Sequence, residues 1–349
     1  MRIVVVGASG NVGTSVLRAL IDDAAVDEIV GIARRRPSLS LPKTTWATAD
    51  VVDADLATLF RGADCVIHLA WLIQPSRDLE TTQAVNVTGS ARVFDAVATA
   101  GVPALVYASS VGAYSPGPKH SPVDESWPTD GIQSSYYSRQ KAATERLLDR
   151  FEREQPGVRV VRLRPGLIFK REAASEIRRL FIGPLLPNPL VRRALIPVVP
   201  RAERLVFQAV HSLDVGEAYR LAAVGDARGP FNVAAEPVLD GARLSELLGA
   251  RAVSVQPSTL RALAAASWRL RLQPASPSWL DLAFGVPTLD STRAREELGW
   301  VPRRSADAAL LELLDGLREG AAMDTPPLEA GAGGPLRVRE LLTGVGGRP

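Results

Sequence analysis

Cysteine, histidine and aromatic residues are scarce in this sequence. Among its 349 residues there is one cysteine, there are three histidines, and 5% are phenylalanine, tryptophan or tyrosine. A single cysteine cannot form an internal disulfide bond. Cys65 also lies within the apolar stretch CVIHLA, which favours a buried structural thiol over a nucleophile. We therefore expect neither disulfide bonds nor cysteine chemistry, and we expect no metal site.

Long hydrophobic runs are also missing. No stretch approaches the roughly 20 consecutive apolar residues that a membrane-spanning helix needs. The N-terminal stretch MRIVVVGASG is apolar for only a few residues before glycine interrupts it, which indicates a first buried strand and not the core of a signal peptide. The sequence therefore predicts a cytoplasmic protein with no membrane partner.

The chain carries no large excess of either charge. Its formal net charge is +3, and only four of its 41 basic residues are lysine. Nucleic-acid surfaces usually combine clustered positive charge with aromatic side chains, and the sequence shows no such cluster. We therefore expect no nucleic-acid partner. The densest basic run, RRR at residues 34–36, follows a predicted strand.

Short apolar segments alternate with amphipathic segments of helix length. Predicted strands cover residues 2–8, 28–34, 65–70, 104–110 and 159–165, and predicted helices cover residues 12–23, 55–61, 81–100 and 135–154. Strands that alternate with helices run parallel, and nearly continuous apolar strands belong to a sheet that is covered on both faces. The sequence therefore predicts an α/β fold with a doubly wound parallel sheet of the Rossmann type.

The alternation changes after residue 165, where arginine, leucine and proline become frequent. We predict a dinucleotide-binding core in residues 1–165, to which residues 204–235 return. A smaller, mostly helical substrate-binding region is predicted in residues 166–203 and 236–320. Residues 321–349 are rich in glycine and proline and are expected to form a loosely ordered tail.

The segment VVVGASGNVG joins the first predicted strand to the first predicted helix. It places Gly7, Gly10 and Gly13 at the turn, with Asn11 and Val12 at the start of the helix. Glycine lets the backbone turn tightly and approach a pyrophosphate closely, and a helix N-terminus offers free N–H groups to the anion. These five residues are therefore predicted to bind the diphosphate of a dinucleotide.

The glycine spacing G-x-x-G-x-x-G resembles that of the extended short-chain dehydrogenase/reductase family. An NAD-preferring site would carry an acidic residue about twenty residues further on, where this chain has Ala33, Arg34 and Arg35. No carboxylate there repels a 2′-phosphate, and guanidinium groups bind phosphate bidentately. NADP(H) is therefore favoured as the cofactor and NAD(H) is possible, while a solvated charge run is the other interpretation of these arginines.

Two adjacent tyrosines precede a lysine in the segment SSYYSRQK. Residues four apart share one face of a helix, so Tyr137 can face Lys141, whereas Tyr136 is followed four positions later by Gln140. A phenol with a pKa near ~10 must lose about three units to act as an acid or base at neutral pH. An ammonium at about 4 Å stabilises the phenolate by on the order of 4 kcal/mol, which is about the free energy that a shift of three pKa units requires. Tyr137 and Lys141 are therefore predicted to be catalytic.

The family resemblance covers nearly the whole chain up to about residue 318. Motifs such as VHSLDVGEAYRLA and RAREELGW make it look like the NAD-dependent epimerase/dehydratase branch. The resemblance implies that Ser110, in LVYASSVGAYSP, orients the substrate oxygen, and that Asn86 shapes the central helix. It also implies that the cofactor contacts Tyr137, Lys141 and four further residues, namely Asp50, Val51, Ala70 and Pro165.

The sequence thus predicts an NADP(H)-dependent oxidoreductase that acts at a carbonyl or secondary alcohol through Ser110, Tyr137 and Lys141. One alternative is a sugar or nucleotide-sugar epimerase, which uses the same triad without net redox change. Another is a non-catalytic module that senses NADP(H). The partner is expected to be a small-molecule substrate, and a homodimer is expected from the resemblance alone. Three loop residues are predicted to line an apolar substrate pocket, with ordinary loop packing as their other interpretation: Trp71, Tyr114 and Trp127.

Overall fold

The strands in the described part of the chain form three separate sheets. The computed structural model describes residues 1–183, 185, 191 and 196–330. Within these residues the strands are β1 (Arg2–Val6), β2 (Glu28–Ala33), β3 (Thr44–Thr48), β4 (Cys65–His68), β5 (Ala104–Ala108), β6 (Arg159–Pro165), β7 (Leu167–Phe169), β8 (Val198–Arg201), β9 (Phe207–His211), β10 (Gly229–Val233), β11 (Ala235–Leu239) and β12 (Arg251–Ser254).

The largest sheet has seven strands in the order β10-β6-β5-β4-β1-β2-β3, and all neighbouring strands run parallel. At the centre of this sheet, Ile3 of β1 pairs with Ile29 of β2 on one side and with Cys65 of β4 on the other. The predicted doubly wound Rossmann-type sheet is confirmed. Two small sheets, β11-β9-β7 and β12-β8, are formed by strands that follow β6 or β10 in the chain.

Helices connect these strands and form the C-terminal region. They are α1 (Asn11–Ile21), α2 (Leu56–Phe60), α3 (Leu79–Gln83), α4 (Gly89–Thr99), α5 (Tyr136–Glu154), α6 (Ala174–Ile177), α7 (Ser212–Val224), α8 (Gly241–Leu248), α9 (Pro257–Arg269), α10 (Ser278–Gly285), α11 (Thr292–Glu297) and α12 (Ala306–Glu319). A π-helical segment, Ala84–Thr88, joins α3 to α4. No helix in the described part of the chain is both long enough and apolar enough to cross a bilayer.

Both faces of the large sheet are covered, which explains why its inner strands are almost uniformly apolar. On one face, α1 and α7 pack on the sheet, and Leu17 and Tyr219 are fully buried there. On the other face, α2, α4 and α5 pack on it and bury Phe60 and Phe94. Cys65 is buried in the core on the α1 and α7 face. Burial raises the pKa of its thiol to about 12, which agrees with the expectation of a buried structural thiol.

The sequence predicted the strands of the large sheet only in part. Strand β10 extends the large sheet beside β6, within the segment 204–235 that we expected to return to the core. The edge strand β3 was not predicted, because its sequence TTWAT is only partly buried and lacks an apolar run. Residues 331–349 of the predicted loose tail lie outside the described residues.

Candidate active site

A crevice opens at the carboxyl ends of β1 and β4. From β1 the chain continues to β2 on one side, whereas β4 continues to β5 on the other, so the direction of winding reverses between these two strands. Ligands of open parallel sheets bind at such a point. A pocket of about 470 Å³ lies there. Its walls include residues from the glycine loop, from the ends of β2 and β3 and from the loop after β4: Gly7, Gly10, Arg34, Asp50, Ala70 and Trp71.

The glycines of the first loop serve different purposes. Gly7 has a φ of +89°, and a Cβ there would lie 2.7 Å from the backbone nitrogen of Ala70. A Cβ at Gly13 would lie 2.4 Å from the carbonyl oxygen of Gly7. At Gly10 the nearest atom would be 3.6 Å away, so packing within the protein does not require glycine there. Gly10 borders the pocket, and a side chain at this position would occupy the space that a diphosphate needs.

Helix α1 begins at the floor of this pocket. Its N-cap is Gly10, so no side chain caps the first-turn N–H groups, and they are suited to hold an anion. Asn11 donates from Nδ2 to the Ile168 carbonyl at 3.4 Å, and Val12 packs against the core. Among the described residues, the pocket is bordered by Gly7 and Gly10 of the predicted diphosphate set but not by Asn11, Val12 or Gly13. Ser9, which the sequence reasoning missed, also borders it.

A buried lysine beneath the start of α1 was also missed. Lys170 donates from Nζ to the carbonyl oxygen of Asn11 at 2.8 Å and to the hydroxyl of Thr14 at 2.6 Å. Burial lowers the pKa of its ammonium to about 8. No spacing in the sequence signals this contact, because more than 150 residues separate the partners.

Five of the remaining predicted cofactor residues border the same pocket within the described residues, namely Arg34, Arg35, Asp50, Val51 and Ala70, whereas Tyr137, Lys141 and Pro165 do not. Arg34 and Arg35 are exposed at its rim, and Asp50 and Val51 border it beside them. Pro165 does not border it, since it is buried at the end of β6 and pairs with Val233.

The three predicted catalytic residues converge next to this pocket. Ser110 follows β5, and its Oγ accepts a hydrogen bond from the backbone N–H of Gly112 at 3.0 Å. Tyr137 and Lys141 lie one turn apart at the start of α5, which Ser135 caps by accepting a bond from the Ser138 N–H at 3.4 Å. Ser110 and Tyr137 meet at Gly112, where an added Cβ would lie 3.3 Å from the Ser110 Oγ and 2.7 Å from Cε1 of the Tyr137 ring.

Neighbouring serines at the end of β5 have separate partners. The Ser109 hydroxyl donates to Oε1 of Glu145 at 2.5 Å. Glu145 is buried and also accepts hydrogen bonds from Arg164 and Arg162. Ser109 is therefore part of a buried ionic cluster, and Ser110 is the serine whose hydroxyl lies with the Tyr137 ring at Gly112.

The two adjacent tyrosines also differ in their surroundings. The Tyr136 hydroxyl donates to the carbonyl oxygen of Ile73 at 2.6 Å. Asn86 holds the same loop, because it accepts from the Leu72 N–H at 2.7 Å and donates to the Leu72 carbonyl at 2.8 Å. Tyr136 and Asn86 thus fix the loop that carries Trp71, and Tyr137 is the tyrosine at the candidate site.

Lys141 is held differently from our expectation. Its Nζ donates to the Ala108 carbonyl at 2.7 Å and lies 5.9 Å from the centroid of the Tyr137 ring. Burial raises the pKa of Tyr137 to about 12, and the neighbouring Ser110 hydroxyl opposes this rise only in part. Burial also lowers the pKa of Lys141 well below its usual range. The sequence-based expectation of a lowered phenol pKa is therefore wrong for this arrangement, because burial raises the pKa of the phenol and the Lys141 amine bonds the Ala108 carbonyl instead of the phenol.

Aromatic rings surround Tyr137. The ring of Trp71 meets it edge-on at a centroid distance of 5.9 Å, and the ring of Trp279 lies at 4.9 Å. Trp279 belongs to α10, more than 140 residues away in sequence, and no motif pointed to it. Tyr114 is fully buried and donates to Asn232 at 2.6 Å, and Trp127 packs in the same separate cluster. Of the three predicted pocket residues, the structure places only Trp71 beside Tyr137.

Known proteins resemble this chain over most of its length. The model of the NAD dependent epimerase/dehydratase family matches residues 3–183. An uncharacterised protein of Mycobacterium tuberculosis is 28% identical over 313 residues, and the match covers 89% of this chain but only 29% of that protein. A 3 beta-hydroxysteroid dehydrogenase/Delta 5→4-isomerase of the same species is 27% identical over 339 residues, covering 90% of this chain and 89% of that protein.

The fold is also found among solved structures. UDP-glucose 4-epimerase from Thermus thermophilus in complex with NAD superposes with a TM-score of 0.65 at 22% identity, covering 91% of this chain and 99% of that chain. At this identity the comparison shows a common fold.

Proposed function

The chain belongs to the NAD dependent epimerase/dehydratase family, and on this basis we propose that it is an NADP(H)-dependent oxidoreductase that interconverts a carbonyl and a secondary alcohol. The observation that carries the proposal is that Ser110 and Tyr137 meet at Gly112, next to the pocket at the carboxyl ends of β1 and β4. Both hydroxyls can bind one substrate oxygen, which is what proton transfer at a carbonyl requires.

The pocket residues fit a nicotinamide dinucleotide. The open space at Gly10 and the uncapped start of α1 suit its diphosphate, and Asp50 and Val51 would contact its adenosine half. Arg34 and Arg35 at the rim would bind a 2′-phosphate, which supports NADP(H) over NAD(H). When bound, the nicotinamide supplies the hydride or accepts it.

The chain's own residues would handle the proton and the substrate oxygen. Ser110 donates a hydrogen bond to that oxygen and holds it beside Tyr137. A phenol whose pKa is raised to about 12 is protonated at neutral pH, so Tyr137 is ready to donate a proton to an alkoxide. Lys141 positions this end of α5 through its bond to the Ala108 carbonyl and places its amine close to the reacting groups.

The rings around Tyr137 support a substrate with an apolar part. Trp71 and Trp279 flank the phenol, and Ile132, Leu282 and Val286 form an apolar cluster against Tyr137 and Trp279. Such surfaces bind apolar groups by removing them from water. The similarity to a 3 beta-hydroxysteroid dehydrogenase over 90% of this chain points the same way.

The proposal is tested by following NADPH absorbance with the full chain and a panel of apolar ketones, aldehydes and oxidised sugars. We expect Tyr137→Phe to lower turnover by about 100-fold or more, because it removes the acid but keeps the ring. Tyr136→Phe is the matched control, since that hydroxyl bonds the Ile73 carbonyl instead. Equal turnover in the two variants contradicts the role of Tyr137.

The same experiment separates the alternatives. An epimerase would bind the cofactor and convert a sugar without net loss of NADPH, so the sugar products are analysed in parallel. A sensor would bind the cofactor and give no product that depends on Tyr137. A cytoplasmic location and a homodimer through α4 and α5 are part of the proposal, and light scattering of the purified chain tests the latter.

A further inference from the structure

Helix α9 exposes an apolar stripe to solvent. The helix has no buried residue among Pro257–Arg269. The side chains of Leu263 and Leu270 are 63% and 70% exposed, and Leu272 is 48% exposed. Positions 263 and 270 are seven apart and therefore share one helical face. Single exposed leucines are ordinary, but three on one short segment form a patch that marks a contact surface.

The same segment is positively charged. Residues 247–280 contain four arginines and neither aspartate nor glutamate. One of them, Arg261, is paired with Asp281 across the turn. Arg269 and Arg271 are exposed and alternate with the two C-terminal leucines in the sequence RLRL, so charge and apolar surface lie side by side.

A further guanidinium adds to this charge from another element. Arg77 stacks on the ring of Trp268 in α9, with 4.0 Å between its guanidinium carbon and the ring centroid. Burial lowers the pKa of Arg77, and the nearby charge of Arg271 lowers it further. Like charges that crowd together at a surface are relieved by an anionic partner.

We propose that helix α9, with the segment up to Leu272, docks on the surface of an anionic lipid bilayer. Leu263, Leu270 and Leu272 enter the boundary between headgroups and acyl chains, and the arginines bind lipid phosphates. Among the possible occupants, an anionic bilayer matches both the apolar stripe and the positive charge beside it. The docking is peripheral and needs no spanning helix, and it revises the sequence-based expectation that the protein has no membrane partner.

Hydrogen bonds connect the docking segment to the candidate active site. The Trp268 indole donates to the Ser76 hydroxyl at 3.2 Å, and Ser76 donates in turn to the Pro274 carbonyl at 3.0 Å. Gln74 donates to the same carbonyl at 3.2 Å. Gln74 and Ser76 belong to the loop that begins at Trp71. Docking would therefore bring the active-site loop close to the bilayer, where apolar molecules accumulate, although the docking itself does not depend on the proposed reaction.

Vesicle sedimentation tests the docking with the full chain. The vesicles consist of phosphatidylcholine alone or of phosphatidylcholine with phosphatidylglycerol. We expect binding to the anionic vesicles, and a Leu263→Glu, Leu270→Glu double variant is expected to bind at least about 10-fold more weakly. Val301→Glu is the matched control, because Val301 is also 63% exposed but lies outside α9. Each of Arg269→Gln and Arg271→Gln is expected to weaken binding by about 5-fold.

Several results would overturn the proposal. One is failure of the chain to sediment with anionic vesicles, and another is equal binding by the α9 double variant and Val301→Glu. If the double variant instead converts a dimer to a monomer in light scattering, while no form binds vesicles, the stripe is an interface between two copies of the chain. All substituted side chains are exposed, so circular dichroism is expected to show native folding for each variant.

Discussion

The ammonium of Lys141 lies 3.4 Å from the centroid of the Trp71 indole ring. This is a close cation–π contact. Trp71 also borders the candidate dinucleotide pocket, which among the described residues is not bordered by Ser110, Tyr137 or Lys141. Trp71 therefore stands between the pocket and the candidate catalytic residues.

We predict that Trp71 changes its surroundings when a nicotinamide dinucleotide binds, because the cofactor must reach Tyr137 past this ring. NADPH is expected to quench tryptophan fluorescence, and Trp71→Phe is expected to lose most of the quenching. Trp127→Phe is the control, since Trp127 packs in a separate cluster with Tyr114. Full quenching in Trp71→Phe would show that the ring takes no part in cofactor binding.

Arg34 and Arg35 are predicted to set the cofactor preference. Replacing both by alanine is expected to raise the KM for NADPH by about 10-fold to 100-fold, because charge-assisted bonds to a 2′-phosphate are worth about 1.5–3 kcal/mol. The KM for NADH is expected to change little. Arg36→Ala is the control, since Arg36 is exposed but does not border the pocket within the described residues. An equal change in the KM for NADPH and for NADH would contradict the prediction that Arg34 and Arg35 bind the 2′-phosphate.

Gly112 is predicted to be required for the position of Tyr137. A Cβ at Gly112 would lie 2.7 Å from Cε1 of the Tyr137 ring, which is too close for any real contact. Gly112→Ala is therefore expected to move the phenol away from Ser110, to lower kcat by at least about 10-fold and to cost about 1–3 kcal/mol of stability. Gly157→Ala, where a Cβ meets nothing within 4 Å, is expected to leave both quantities unchanged.

Glu145 is predicted to stabilise the fold in a pH-dependent way. Burial alone would raise the pKa of its carboxyl group, but Arg164 and Arg162 outweigh burial and lower it to about 2. A lowered pKa means that the stabilisation is complete above the ordinary value of 4.5 and is lost as the pH falls toward 2.

Glu145→Gln tests this prediction by thermal unfolding between pH 7 and pH 2. The variant is expected to lose about 3–5 kcal/mol at neutral pH, because Arg164 remains buried without its anion while Arg162 keeps Asp149 and Glu152. Its stability is expected to depend less on pH below 4.5. Glu154→Gln removes an exposed pair with Arg150 and is expected to change stability by less than about 1 kcal/mol. Equal effects of the two substitutions would contradict the prediction.

Much of the fold could be predicted because it follows from local pattern. Five strand segments and four helix segments of the Rossmann core appear as apolar runs and amphipathic stretches, and the structure has elements at each of them. The strand β3 escaped prediction because Trp46 is the only large apolar residue in its sequence. An edge strand is stabilised by pairing along one side, which leaves no strong periodic signal.

The candidate site was predictable only where its residues are close in sequence. The four-residue spacing of Tyr137 and Lys141 and the three-residue spacing of the glycines follow from helix and turn geometry. Trp279 and Lys170 were not predictable, since they reach the site from elements more than 130 residues away from the residues they contact.

The sequence by itself determined the parallel sheet and the glycine loop at the start of α1, because both follow from local pattern. It also predicted Tyr137 over Tyr136 from the four-residue spacing to Lys141. Only the tertiary structure decided the protonation of the candidate site. Burial raises the pKa of Tyr137 and lowers that of Lys141. Folding also brings the rings of Trp71 and Trp279 into contact with the Tyr137 ring. The free energy of a charge depends on how much water the whole fold removes from it, and no local pattern records that quantity.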